Sequence, residues 1–332
     1  MNYLTQFRIT ARLFLALFAL GFFAICDSVR AVVPAPDGGY PGFTTAEGTK
    51  ALQNLTTGVG NTAAGWYSLF TNTSGSYKTG VGAGTLLFNI GDSKGAGSQN
   101  TAIGTAALLF NTAGSGNAAV GVTALLNNTE GGNNTAIGEQ ALYTNTIGFS
   151  NTAIGAFALF SNSADTDRNT ATGAEALFSN TSGRENTANV AFALHDNTTG
   201  SHNTAIGKSA LSANNANENT AIGWDALDNN TTGSENTALE ALALLENTTA
   251  SGNTAIGHGA LLSNITGDED TAVGSSALVA NTIGERNTAT GASALENNDT
   301  GFNNTAKAIE HSSSTLVAVT TRPRVHSRSR RA

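Results

Sequence analysis

Asn134-Thr135-Ala136-Ile137-Gly138-Glu139-Gln140-Ala141-Leu142-Tyr143-Thr144-Asn145-Thr146-Ile147-Gly148-Phe149-Ser150 is a stretch that the chain repeats from near its start to near its end. Aligned on Asn-Thr-Ala-x-Gly, units begin at 44, 61, 78, 100, 117, 134, 151, 169, 186, 203, 219, 236, 253, 270 and 287, and a broken sixteenth begins at Asn304. Eleven of the fourteen spacings are 17 residues; the others are 22, from an insertion around Gly91–Gly97, then 18 and 16. Below, a column is a place within this unit, Asn134 being in the first. Self-similarity at a short fixed period marks a solenoid, because one unit cannot bury its own apolar face and stacked neighbours can.

The columns separate interior from surface. The ninth is leucine in all 15 units, Leu52 through Leu295, and the third is alanine in 14, with Gly80 in the other. The eighth is alanine in 13 and the twelfth asparagine in 14. The fifth is glycine except at Val190 and Glu240, whereas the sixth, seventh, tenth and eleventh accept Trp66, Lys208, Asp225 or His258. The invariant leucine therefore points inward in every coil, with the third- and eighth-column alanines where space is tightest. Adjacent strand residues face opposite ways. The fourth column, Ile, Val or Leu in 10 units, then forms an apolar outward stripe, which implies a covering surface such as a sister chain. One leucine and two alanines per coil make a thin core against the entropy of ordering the coil, a second argument for self-association.

Thr-Ala-Ile reads as a short parallel strand, ended by the fifth-column glycine. The stretch x-x-Ala-Leu-x-x is rich in helix formers and reads as one helical turn; a pure β-roll without helical turns is the alternative. The twelfth-column asparagine and fifteenth-column glycine tolerate left-handed conformations and are expected to close the coil. Stacking aligns Asn with Asn and Thr with Thr, whose side chains can bond along the stack. The expected fold is a mainly β repeat solenoid of fifteen coils, roughly 70 Å long at about 4.8 Å per coil.

This order explains an unusual composition. Gly (38), Ala (53), Thr (46) and Asn (37) make 174 of 332 residues, and only 12% are charged. The bias argues against an ordinary packed enzyme, and scarce proline with too little glycine excludes collagen. Net charge is −8 overall; residues 1–31 carry +2, residues 322–332 carry +5, and the body between them −15. A body this acidic is a poor partner for nucleic acid or anionic membrane.

The ends read differently. Residues 1–31 have the form of a signal peptide: Arg8 and Arg12, the uncharged run Leu13–Cys26, then Val29-Arg30-Ala31 as a cleavage site. An uncleaved anchor and lipidation at Cys26, the single cysteine, are the alternatives. Residues 32–43 are a linker, 44–310 the solenoid, and 311–332 a Ser- and Arg-rich tail expected to be disordered. A truncated or frame-shifted gene product is another reading of that tail.

The Asn-Thr-Ala-Ile-Gly unit resembles the head repeats of YadA-like trimeric autotransporter adhesins, and still more the x-A-L-x-x-N-T-T-G variant of bacterial surface proteins and phage tail fibres. The resemblance covers about Thr44–Ala308. It implies a parallel β-roll or β-solenoid, often trimeric, acting in adhesion, although the unit here is longer than that of the YadA head.

Catalysis needs convergent titratable groups, and no column of His, Asp or Glu exists: His195, His202 and His258 fall in different columns, and His311 and His326 in the tail. Asp268-Glu269-Asp270 and Asp165-Thr166-Asp167 lack the repeated Gly-rich calcium motif. The expectation is a non-catalytic, exported structural or adhesive protein of the bacterial cell surface, without cofactor or metal and without a membrane span after signal cleavage. Homotrimeric self-association is expected, with a further surface or matrix ligand. Candidate surface-binding residues are Trp66, Tyr67, Phe157 and Trp224. A solenoid carbohydrate-active enzyme and an ice- or surface-binding solenoid, the latter from the second-column threonines, are the alternatives.

Overall fold

A computed structural model describes residues 42–91, 94–163, 166–309 and 316–321. The solenoid belongs to a compact unit spanning residues 39–332. The segment read as a signal peptide and nearly all of the linker lie outside the described residues. Fifteen three-residue strands, β1 (Thr45–Glu47) through β15 (Thr288–Thr290), recur once per coil. Each pairs in parallel with the next in register, column on column, which sets Thr on Thr and Ala on Ala except at Gly80 and Ala118; β6 (Thr135–Ile137) on β7 (Thr152–Ile154) is typical. The ladder continues into β16 (Asn304–Ile309), also parallel to β15. The last strand, β17 (Leu316–Thr321), runs antiparallel to β16. It falls within the stretch 311–332 read from the sequence as a tail, of which residues 316–321 are described. Its sequence, Leu-Val-Ala-Val-Thr-Thr, is a β-branched run of the kind strands favour.

The core is the predicted one. Leucines of the ninth column and alanines of the third and eighth form one continuous buried cluster along the coils. The fourth column faces outward, as the strand alternation requires: Val81, Ile103, Ile137, Ile154 and Ile222 are 39–41% exposed.

The expected helical turn is absent. Among the described residues there is no helix, and x-x-Ala-Leu-x-x is a series of tight turns. A helix needs consecutive residues at negative φ. Here φ alternates: Gly138 (136°), Gln140 (55°) and Leu142 (53°) are positive, while Glu139 and Ala141 are not. All fifteen ninth-column leucines share this left-handed conformation, Leu52 at 47° and Leu295 at 54° included. A non-glycine residue there carries a cost of order 1–3 kcal/mol. What over-determines it is stacking. The Leu142 amide donates to Ala158 O of the next coil at 3.0 Å, and the Gln140 amide to Val122 O of the preceding one at 3.1 Å. These two amides thus point to opposite neighbours, with the Ala141 amide between them donating to Gly138 O of its own coil, and local helix propensity, a weak prior, yields to this pairing.

The assignment of left-handed geometry to the twelfth and fifteenth columns is also corrected. Neither Asn145 nor Gly148 has positive φ. Asn145 is wholly buried and its side chain does the work described below. The fifteenth-column glycine is there for close approach. A Cβ on Gly131 would collide with Gly148 O of the next coil and with Asn128 Oδ1. Ala216 and Ala250 hold this column in two coils and are also buried, so the restriction is to small side chains.

Because each leucine packs only on its neighbours' leucines and alanines, Leu159→Ala opens a cavity that a short, rigid coil cannot close. Chemical denaturation is expected to show a loss of about 2–5 kcal/mol; a loss well under 1 kcal/mol would contradict the leucine stack.

Candidate functional site

Two buried asparagine columns shape the surface from within. In the twelfth column, amide bonds amide along the stack: Asn128 Nδ2 donates to Asn111 Oδ1 at 2.6 Å, Asn145 to Asn128 at 2.7 Å, and Asn162 to Asn145 at 2.9 Å. The ladder runs unbroken to Asn298, which donates to Asn281 at 2.8 Å. In the first column, the side-chain oxygen accepts from the next coil's backbone amide, as Asn134 Oδ1 does from Asn151 N at 2.9 Å. Its nitrogen donates to the fifteenth-column carbonyl, Gly148 O at 2.8 Å. Threonines of the thirteenth column bond along the stack through main-chain carbonyls rather than through each other's hydroxyls, Thr129 Oγ1 to Thr146 O at 3.1 Å being one.

Three first-column residues are not asparagine: Thr44 at the first coil, Lys78 and Asp270. Lys78 sits in the coil that carries the insertion, where the twelfth-column ladder has not begun. A Cβ on Gly75 would collide with Lys78 Nζ, where in other coils it meets the next coil's fifteenth-column carbonyl. The lysine thus reaches where asparagine is too short: Nζ donates to Asn72 Oδ1 at 2.7 Å and to Asn89 O at 3.3 Å. Asn89 Oδ1 is buried with no partner, which marks this coil as an imperfect rung. Burial pulls the Lys78 ammonium down from its usual 10.5 to about 7.

The four candidate aromatics fall in three places. Trp66 and Tyr67 meet, ring centroids 4.3 Å apart, and Tyr67 meets Phe70 at 4.8 Å. Lys50 Nζ lies 4.9 Å from the Tyr67 ring centroid, a cation–π distance. Phe157 packs tilted against Phe160 at 6.0 Å. Trp224, 53% exposed, is on a coil nine further along than Trp66, roughly 40 Å away at parallel-strand spacing. Of the four, the structure therefore brings Trp66 and Tyr67 together and leaves Phe157 and Trp224 elsewhere.

Sequence reasoning passed over two aromatic ladders. In the tenth column Tyr143, Phe160, Phe178 and His195 stack nearly parallel at 5.2, 5.1 and 5.3 Å. In the eleventh, Phe88 and Phe110 stack at 5.5 Å. Each coil sets its ring on the one before, so four successive flat side chains in one column were the available signal. Face-to-face stacking turns the ring edges outward and hides the faces, which disfavours these ladders as stacking platforms for sugar rings. Beside Phe88 and Phe110 lies an open groove of about 680 Å³, also lined by Thr71, Ile90, Thr129 and Thr146. Thr71 and Thr129 have their hydroxyls committed to main-chain carbonyls.

Among the described residues no three His, Cys, Asp or Glu are placed to hold a metal ion. Of the run Asp268-Glu269-Asp270, only Asp270 is buried; Asp165 lies outside the described residues. His195 is flanked by Asp196 at 2.7 Å and Glu175 at 3.3 Å. No helix among the described residues is long and apolar enough to cross a membrane. No family model, curated protein or solved structure matches the chain.

The Lys78 geometry has a measurable consequence. Its folded value near 7 lies below the unfolded value near 10.5, so the unfolded chain holds more proton between them and stability rises with pH over that window. Across pH 7 to 10.5 the chain is expected to gain stability relative to Lys78→Met. A difference in melting temperature that stays flat over that range would contradict the burial of the ammonium.

Proposed function

We propose that this chain is a non-catalytic, exported structural or adhesive solenoid of the bacterial surface that self-associates along its fourth-column face. One observation supports this most: the outward row of Val and Ile, about 40% exposed at Val81, Ile103, Ile137, Ile154 and Ile222, repeats at the spacing of the coils. A second copy has the same spacing, so side chains of two rows can interleave along the ten coils in which the column is Ile, Val or Leu, and a closed arrangement follows if the rotation between copies closes. Three copies is the number that the likeness to YadA-like heads implies. Binding to a surface or matrix ligand falls to the variable columns, with Trp66, Tyr67, Phe70 and Lys50 as the best-formed cluster. No cofactor enters this reading.

Analytical ultracentrifugation of residues 32–332 is expected to give a homotrimer. Substituting Ile103, Ile137 and Ile154 together by Lys, which places charges in the proposed contact without touching the leucine core, is expected to give monomers of unchanged β content. A wild-type chain that stays monomeric at high micromolar concentration would overturn the assignment of this face.

A further inference from the structure

The first column contains a natural substitution experiment. In every one of the twelve coils between the second and the fifteenth that has asparagine there, its Nδ2 donates to the fifteenth-column carbonyl of its own coil, at 2.7–3.0 Å. Asp270 replaces asparagine in the fourteenth coil and keeps the rest of the pattern. Its backbone amide donates to Asn253 Oδ1 at 2.8 Å. Its Oδ1 accepts from Asn287 N at 2.7 Å and Asn287 Nδ2 at 3.1 Å. The other oxygen, Oδ2, occupies the place of the amide nitrogen. It accepts from Asn281 Nδ2 at 3.0 Å, and that same nitrogen donates to Gly284 O at 3.0 Å.

Oδ2 and the Gly284 carbonyl are both acceptors. An ionised Asp270 has an acceptor where twelve other coils have a donor to that carbonyl, in a site without solvent exposure. A proton on Oδ2 turns it into a donor aimed as the twelve asparagines aim theirs. We propose that Asp270 is held in the folded solenoid as a neutral carboxylic acid donating to the Gly284 carbonyl, and that its ionisation loosens the surrounding coils as the medium goes from acidic to neutral.

The surroundings favour the neutral form. Burial pushes the carboxyl up to about 7, and the charge of Asp268 pushes the same way; the bonds from Asn287 and Asn281 oppose it. The charged groups on this coil and the two that flank it are Asp268, Glu269, Glu285, Arg286, Glu296 and Asp299, with His258 as the other titratable group. The cation among them, Arg286, is engaged on the outside by Glu269 at 2.9 Å and Glu285 at 3.9 Å. Facing Asp270 from the coils on either side are the amides Asn253 and Asn287, which carry no charge. The folded value lies above the unfolded one of about 3.8. The folded chain therefore holds more proton between them, and the stabilisation is present at acidic pH and lost as pH rises through about 7.

The test is hydrogen exchange by mass spectrometry on the full chain and on Asp270→Asn, which restores the residue of twelve other coils and is expected to fold. Exchange in residues 270–303 of the wild type, divided by that of the variant at each pH, is expected to grow between pH 4 and pH 7 by up to about tenfold per pH unit, the limit for one proton. It should level off above pH 7. Asn236→Asp, which transplants the acid to another rung, is expected to create the same dependence in residues 236–269. A ratio independent of pH in Asp270→Asn, or an Asn236→Asp chain without pH dependence in its own coils, would overturn the proposal.

Discussion

A coil of seventeen residues with so small an apolar content must place polar side chains inside, and a buried amide without partners costs about 1–3 kcal/mol. That requirement organises the molecule. Asparagine offers a donor and an acceptor on one short side chain, so a column of them satisfies itself by repetition: each Oδ1 accepts from the next coil and each Nδ2 donates to the previous coil or to a nearby carbonyl. Such chains of amides polarise one another in a low-dielectric interior. The fifteenth-column carbonyl must come close to both asparagine columns, which is why that place holds glycine or alanine in the other described coils and Thr166 in the coil of Asn151. The leucine stack supplies the apolar burial, and the amide ladders enforce register.

The same requirement explains where the pattern breaks. At the insertion, the rung changes shape and Lys78 reaches across to Asn72 and Asn89. At Asp270 the acid keeps the shape and changes the chemistry. Both put an ionisable group into a place built for an amide, and burial drives both toward neutrality near pH 7. Their effects on stability have opposite sign with pH, because one loses a proton to become neutral and the other gains one.

Much of this was legible in the repeat. Leu142, Ala136 and Ala141 read as interior from invariance between units, and Ile137 as exterior from strand alternation. The backbone between Gly138 and Thr144 was not legible, because propensity describes an isolated segment and Ala-Leu favours a helix there. Stacking instead forces Gln140 and Leu142 to positive φ, a conformation that their side chains do not advertise. Asn145 reads as a coil-closing residue because asparagine tolerates left-handed conformations, while its burial depends on neighbours one period away. Of the candidate site, Trp66 and Tyr67 cluster as adjacent aromatics do, whereas the Tyr143–Phe160–Phe178–His195 ladder belongs to no single unit and is visible only across four.

The surface is correspondingly modular: exposed columns vary without disturbing the ladders, which suits a protein that displays side chains along a scaffold. The account stands on the buried amides, and the exchange of their side-chain protons tests it most directly. By NMR, the Nδ2 protons of Asn162, in the twelfth column, are expected to be protected as strongly as the backbone amides of β7. Those of Asn133, exposed in the seventeenth column, are expected to exchange at the rate of a free amide. Equal, fast exchange at Asn162 and Asn133 would contradict the ladder.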